Sequence, residues 1–269
     1  MSGEFDVLRA AIAALPGHAG IIVFAADGTE LFAHDAAEAV PAASVIKIPL
    51  VMTLYADAAE GRLSLDERCA VGARVDGSGV LRHLPDVDGL SLRDLATLAI
   101  IVSDNTATNR LIERVGFDRV GARLAEWDCT GTRLQRAMFD VDAAKRGADN
   151  VMVPREVAGL LLRLHRGDCA GRATSDAVLR VLERTQDDAL LCRYLPAGTR
   201  VAHKTGSLDG VRNDAGIVYG DRPVIAVGCV RGVADIGPAQ SLLGLLGWIA
   251  YRSAGGAVHG LPSEWPATA

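Results

Sequence analysis

Ser44-Val45-Ile46-Lys47 is the stretch from which the rest of this 269-residue chain can be read. A serine and a lysine three positions apart stand one turn apart on the same face of a helix. A serine hydroxyl is a weak nucleophile that needs a neighbouring base, and a lysine amine can serve when burial or a second cation lowers its pKa. Ile46, Ile48 and Leu50 surround Lys47 with apolar side chains, which argues against a freely solvated ammonium. On its own, Ser-x-x-Lys is expected roughly once in a chain of this length. Two further triplets follow in order, Ser103-Asp104-Asn105 and Lys204-Thr205-Gly206. Each is expected about 0.05 times, so the ordered trio arises by chance on the order of once in a thousand chains or less. Lys204 is the candidate second cation.

The segments around these motifs set their structural context. Phe5 to Leu15 has apolar residues at helical spacing and ends at Pro16-Gly17. Gly20 to Ala26 and Thr29 to His34 read as short strands around Asp27-Gly28, a hairpin signal. Ser44 opens a helix to Ala59, and most segments up to Arg184 read as helices, with a break at Gly167-Asp168. Ser91-Leu92-Arg93-Asp94 resembles a capping box, and Pro154 stands in the first turn of another helix. After Gly198 the pattern reverts to strands: Arg200 to Lys204, Asp214 to Tyr219 and Pro223 to Val230, the last two rich in Val and Ile. A final apolar helix runs from about Pro238 to Arg252, and the tail after Gly260, with Pro262 and Pro266, is expected to be loosely held. Five strands split by a helical insertion imply an α+β fold, an antiparallel sheet completed by both chain ends with helices packed on it.

Composition narrows the function. The chain is 49% hydrophobic and 23% charged with a formal charge of −5, an ordinary globular balance that argues against nucleic-acid binding. Apolar runs such as Leu95 to Val102 are too short to span a bilayer. Met-Ser-Gly-Glu-Phe-Asp-Val-Leu-Arg carries neither a basic segment nor an apolar core ending in small residues, so a cytoplasmic location is expected, or a secreted one if a signal segment has been lost. The scattered Cys69, Cys129, Cys169, Cys192 and Cys229 suggest reduced, gap-filling thiols. No Cys-x-x-Cys or His-x-x-x-His spacing occurs, so a zinc site is not expected; no other metal and no organic cofactor is implied.

The trio, together with Gly77-Ser78-Gly79-Val80-Leu81, Leu90-Ser91-Leu92-Arg93-Asp94-Leu95 and Ile100 to Asn109, resembles the class A serine β-lactamases and their broader relatives among penicillin-binding and serine-hydrolase proteins. The likeness runs from about residue 5 to residue 253. It implies the β-lactamase/transpeptidase-like fold: an α/β lobe from residues 1–38 and 184–269, an all-helical lobe from 39–183, and an active site between them. It also implies that Ser44 attacks a carbonyl, that Lys47 and Ser103 move protons, and that Lys204 clamps the substrate. Asn105, Thr205, Gly206 and Ser207 would contact the substrate, with the amides of Ser44 and Ser207 as the oxyanion hole. Asp104 is expected to hold its turn through backbone hydrogen bonds. His203 should point to the face of its strand opposite Lys204. Arg212 is either a carboxylate clamp or an ordinary partner of Asp214.

The sequence departs from that family at one place. Class A enzymes carry a Glu-x-x-Leu-Asn loop whose glutamate activates the deacylating water. Here the matching segment is Leu134-Gln135-Arg136-Ala137-Met138-Phe139-Asp140-Val141-Asp142, with Met138 near the glutamate position. A thioether is no general base. Asp140 is the nearest replacement, or else a brace for the loop. Three readings follow. The chain is a monomeric serine hydrolase of small molecules that is acylated by a β-lactam and deacylates slowly. Alternatively it is an amidase or esterase of D-peptides or D-amino acids, or a protein that traps the acyl group as a sensor.

Overall fold

The computed structural model describes residues 2–258 and 260–262; the tail beyond Pro262 lies outside the described residues. The chain opens with helix α1 (Ser2–Ala13) and the hairpin β1 (His18–Ala25) and β2 (Glu30–His34). Its turn reverses through Gly28 at φ +95°, and the Asp27 carboxylate accepts the Thr29 N–H at 2.8 Å. A short strand β3 (Val40–Pro41) leads to a 3₁₀ turn, Ala43–Ile46, and helix α2 (Lys47–Ala59). Ser44 therefore sits in a tighter turn than the α-helix expected to begin there; side chains three apart eclipse in such a turn.

Strands β4 (Arg68–Ala70) and β5 (Gly89–Ser91) frame a loop and lead into helices α3 (Leu92–Ile101), α4 (Asn105–Val115) and α5 (Phe117–Glu126). The Ser91 hydroxyl caps α3, accepting the Asp94 N–H at 3.1 Å and donating to the Asp94 carboxylate at 2.8 Å. The reciprocal arm of the capping box thus runs between side chains. A second long loop holds only the short helix α6 (Val141–Lys145) before β6 (Val151–Met152), which pairs with β3. Helix α7 (Pro154–Arg166), with Pro154 in its first turn, ends at left-handed Gly167, and α8 (Arg172–Leu182) follows. Strands β7 (Val201–Leu208), β8 (Val211–Val218) and β9 (Val224–Arg231) and helix α9 (Gly237–Ser253) complete the fold. The strand after Gly198 reaches four residues further than the sequence suggests and includes all of Lys204-Thr205-Gly206.

The main sheet is antiparallel in the order β2-β1-β9-β8-β7, so both chain ends build it, as expected. Its two faces are both covered. Ile21, Val23, Val224, Ala226 and Val230 pack with α1 and α9, whereas Ile22, Ile225, Val227 and Ala215 belong to the larger core with α2, α3, α7 and α8. Burial on both sides explains the unbroken Val- and Ile-rich runs in place of polar alternation. The larger core is built around α2, buried from Lys47 to Asp57. Its far end is fixed to α5 by Asp57, which takes Arg119 at 2.6 Å and Arg123 at 2.8 Å. Strand β7 is the sheet edge, and its free side faces the turn that carries Ser44.

Among the described residues no helix is long and apolar enough to cross a membrane. All five cysteines are free thiols. Helix α9 approaches the segment before β7 closely: a Cβ on Gly247 would stand 1.9 Å from the Leu191 carbonyl oxygen. Neither backbone can yield without moving the helix off the sheet. Gly247→Ala is expected to destabilise the fold by about 2 kcal/mol or more, read as a lowered midpoint in urea unfolding; an unchanged midpoint would show that α9 is free to shift.

Candidate active site

The 3₁₀ turn places the half-buried Ser44 against the edge of β7. Its entry residue, Ala43, holds φ +47°, a left-handed conformation that costs a non-glycine residue roughly 1–2 kcal/mol. The preceding backbone is tied down from two directions. Asn213 on β8 donates to the carbonyls of Pro41 at 2.8 Å and Ala42 at 3.3 Å, and the Ala42 N–H reaches the Asn150 carbonyl at 2.9 Å. A Cβ on Gly206 would lie 3.0 Å from both the Ala43 Cβ and the Ser44 nitrogen. Gly206 thus makes room for the turn that carries Ser44. The contact also sets the Ser44 amide beside the strand that carries the Ser207 amide.

Lys47 is fully buried, and its three N–H donors all have acceptors: the Ser103 carbonyl at 2.8 Å, the Ser103 Oγ at 3.0 Å and the Asn105 Oδ1 at 3.0 Å. Burial, reinforced by the charge of Lys204, pulls its pKa well below the ordinary lysine value, against a weaker opposing pull from Asp104. A neutral amine at this position has a lone pair within reach of the Ser103 hydroxyl.

Ser103 occupies the turn between α3 and α4 at φ +53°. Its carbonyl takes a second hydrogen bond from the Ser78 hydroxyl at 3.0 Å. Asp104 holds this turn, as expected. One carboxylate oxygen caps α4 through the Ala107 N–H at 2.9 Å, and the other accepts the N–H groups of Val80 and Leu81 at 2.7 and 2.8 Å. Asn105 donates to the Asp76 carbonyl at 2.9 Å, so its amide links Lys47 to the 76–81 loop as well as lining the cavity.

Lys204 is buried on β7, with its ammonium on the Thr205 carbonyl at 2.8 Å. Burial lowers its pKa to about 8 against the pull of Asp214 and Asp187. Thr205 is buried beside it, and Ser207 is exposed at the end of the strand. His203 turns to the other face, as the alternation requires, and meets Asp214 at 3.0 Å. Asp214 is therefore the partner of His203 and not of Arg212. The Arg212 guanidinium folds back onto the carbonyls of Leu208 and Val211, at 2.8 and 2.6 Å, and does not line the cavity. Its hydrogen bonds belong to the hairpin, which corrects its candidacy as a clamp.

A cavity of about 560 Å³ opens over Ser44. Ser78, Asn105, Met138, Phe139, Ser207 and Asp209 are among the residues that line it. Met138 faces it from the 135–140 loop, and Asn109 fixes its backbone by accepting the Met138 N–H at 2.7 Å and donating to its carbonyl at 3.1 Å. Asn150 holds the same loop through the N–H groups of Gln135 and Arg136. Asp140 is exposed, caps α6 through the Ala143 N–H at 2.9 Å and does not line the cavity. Of its two candidate roles, the geometry supports the brace. Phe139, at φ +65°, is, like Ala43, a left-handed non-glycine residue that lines the cavity. The sequence does not single out Asn109, Asn150 and Asn213, each beside another polar residue, or Asp209 at the mouth.

A model of the beta-lactamase enzyme family matches residues 5–254. Among solved structures, a beta-lactamase from Sphaerobacter thermophilus is 32% identical, with 94% of this chain and 97% of that one covered and a TM-score of 0.85. A variant of PBP-A, in an acyl-enzyme complex with penicillin-G, is 26% identical over 94% of this chain and 96% of that one, with a TM-score of 0.84. An ancestral class A beta-lactamase is also 26% identical, over 93% and 99%, with a TM-score of 0.83.

The Asp104 carboxylate is the joint most exposed to test. Asp104→Ala removes a helix cap, worth about 1–2 kcal/mol, and strands two N–H groups of the 76–81 loop at about 1–3 kcal/mol each where they stay buried. The expected loss is about 3 kcal/mol in urea unfolding, with faster amide hydrogen exchange at Val80 and Leu81. Unchanged exchange there would show that the carboxylate does not hold the loop.

Proposed function

Because the chain belongs to the beta-lactamase enzyme family and has its five-stranded α/β fold, we propose that it is a class A-type serine hydrolase that works through an acyl-enzyme on Ser44. The observation that carries this reading is the buried Lys47 amine, with the Ser103 hydroxyl 3.0 Å from it and Ser44 one turn earlier at the cavity. In this mechanism the neutral amine takes the Ser44 proton as Oγ attacks the carbonyl. The amides of Ser44 and Ser207 hold the oxyanion, and Ser103 passes a proton to the leaving group. Lys204 supplies positive charge for a substrate carboxylate, supported by Thr205 and Ser207. Asn105 keeps Lys47 in place and offers a remaining N–H to the substrate. A β-lactam is the substrate class the family suggests; a D-peptide, amide or ester presents the same carbonyl. Five free thiols suit a reducing compartment such as the cytoplasm.

Incubation with a penicillin or an activated ester should leave one acyl group, mapped to Ser44 by mass spectrometry. Lys47→Ala should slow acylation by about 10²–10⁴-fold without unfolding the chain. Acylation should rise with pH as Lys47 loses its proton, while carboxylate-bearing substrates should show a rising KM above about pH 8, where Lys204 is neutralised. A label elsewhere, or normal acylation by a folded Lys47→Ala variant, refutes the assignment.

The environment of Met138 favours slow hydrolysis of β-lactam adducts over rapid turnover. A thioether stands at the cavity wall where a carboxylate would activate water, and Asp140 is occupied in capping α6. Pre-steady-state mixing should show a burst of one product per site and then a slow phase. Met138→Glu should speed the slow phase, by up to about 10²-fold where the carboxylate reaches the water. Asp140→Asn should leave it unchanged. Rapid turnover without a burst would remove slow deacylation from the reading while leaving acylation intact.

A further inference from the structure

We propose that Asp188, Cys192 and His203 form a zinc site on the face of β7 opposite the cavity. Their ligand atoms all lie within 4.8 Å of one another. The Cys192 Sγ stands 3.6 Å from the His203 Nε2. With zinc–sulfur and zinc–nitrogen bonds of about 2.3 and 2.0–2.1 Å at a tetrahedral angle, the two donors would be about 3.5 Å apart. The pair is therefore already spaced for one ion, which would sit to the side of the line joining them.

The surroundings are those of a metal-binding histidine. The His203 Nδ1 faces the Asp214 carboxylate at 3.0 and 3.2 Å, an arrangement that fixes the ring and turns Nε2 toward its hydrogen-bond partner, the Cys192 thiol. Asp214 is itself held by the Leu191 N–H at 3.0 Å, and the Thr185 hydroxyl donates to the His203 carbonyl at 2.6 Å. Burial falls from His203 through half-buried Cys192 to exposed Asp188, so an ion has a way in, and the one ligand that must close about an ångström is on a solvent-exposed side chain. A thiolate, an imidazole and a carboxylate with a fourth corner for water select zinc or cobalt over magnesium or calcium. On binding, the Cys192 thiol proton goes to solvent as the metal–sulfur bond forms, and so does any proton on Nε2. The ion would tie residues 185–195 to the strand whose next residue is Lys204. No sequence motif announces it, because the ligands are separated by three and then ten residues and come from an irregular segment and a strand.

Reduced, chelator-treated protein titrated with Co²⁺ alone should bind one ion per chain and show thiolate-to-cobalt charge-transfer absorption in the near-ultraviolet. Zn²⁺ should displace it and raise the thermal midpoint. Cys192→Ser should abolish the band and the thermal shift, and Asp188→Asn, at an exposed position, should weaken zinc binding by about tenfold or more. Absence of stoichiometric binding would overturn the proposal. So would an undiminished band in folded Cys192→Ser, which would move the ligation to another of the five thiols, or zinc affinity unaffected by Asp188→Asn.

Discussion

The burial of Lys47 is the constraint on which the rest of the site depends. An ammonium removed from water costs several kcal/mol even after relaxation, and a second lysine, Lys204, is buried close enough to lower its pKa further. Two responses are open to the fold. It can surround the charge with acceptors, or it can let the proton go. Both are present: three acceptors converge on Nζ, and the pKa is pulled well below its ordinary value. A group poised between those states can accept and return a proton at little cost, which is what a general base needs. The Ser103 turn, the Asn105 amide and the Asp104 clamp on the 76–81 loop are the means by which the acceptors are held in place.

Strain marks the same region. Among the described residues, Ala43, Ser103 and Phe139 are three of the six non-glycine residues with positive φ; Ala43 and Phe139 line the cavity, and Ser103 meets Lys47. Such conformations persist only where surrounding contacts over-determine them. At Ala43 those contacts are the Asn213 and Asn150 hydrogen bonds and the packing on Gly206. At Ser103 they are Lys47 and Ser78, and beside Phe139 they are the two hydrogen bonds exchanged by Asn109 and Met138. The rigid sheet edge and the buried α2 supply the frame against which these turns are set.

Much of this was legible in the sequence because it rests on local pattern. Apolar runs located the strands of the sheet, Gly28 and Gly167 located reversals, and the spacing of Ser44 and Lys47 located the amine. What was not legible depends on long-range closure. Asn213 lies 171 residues from Ala42, and nothing local says that its amide will hold the approach to Ser44. Gly206, Arg212 and Asp140 show the same dependence. Each has an ordinary local explanation, a close backbone contact, a hairpin tie and a helix cap, that becomes visible only once its partner is in place. The irregular loops at 71–88 and 128–150 carry little periodicity, so their contribution to the cavity could not be read in advance.

The cavity mouth adds a constraint of a different kind. Phe139, Val141 and Leu208 are 55%, 56% and 41% exposed, and all three line the cavity. Apolar side chains left in water at a cleft are stabilised when a ligand covers them, by about 25 cal/mol per Å² of apolar surface removed. Polar groups line the same cavity, among them Ser44, Asn105 and Ser207. The cavity thus offers apolar and polar contacts side by side, and in the proposed acyl transfer a substrate would present its carbonyl to Ser44 among them. An apolar acyl substituent seated on Phe139 and Val141 also covers the loop that carries Met138. In the proposed acyl-enzyme, water approaching the ester would then meet a thioether and an aromatic ring, so contacts that favour acylation would also slow hydrolysis of the adduct.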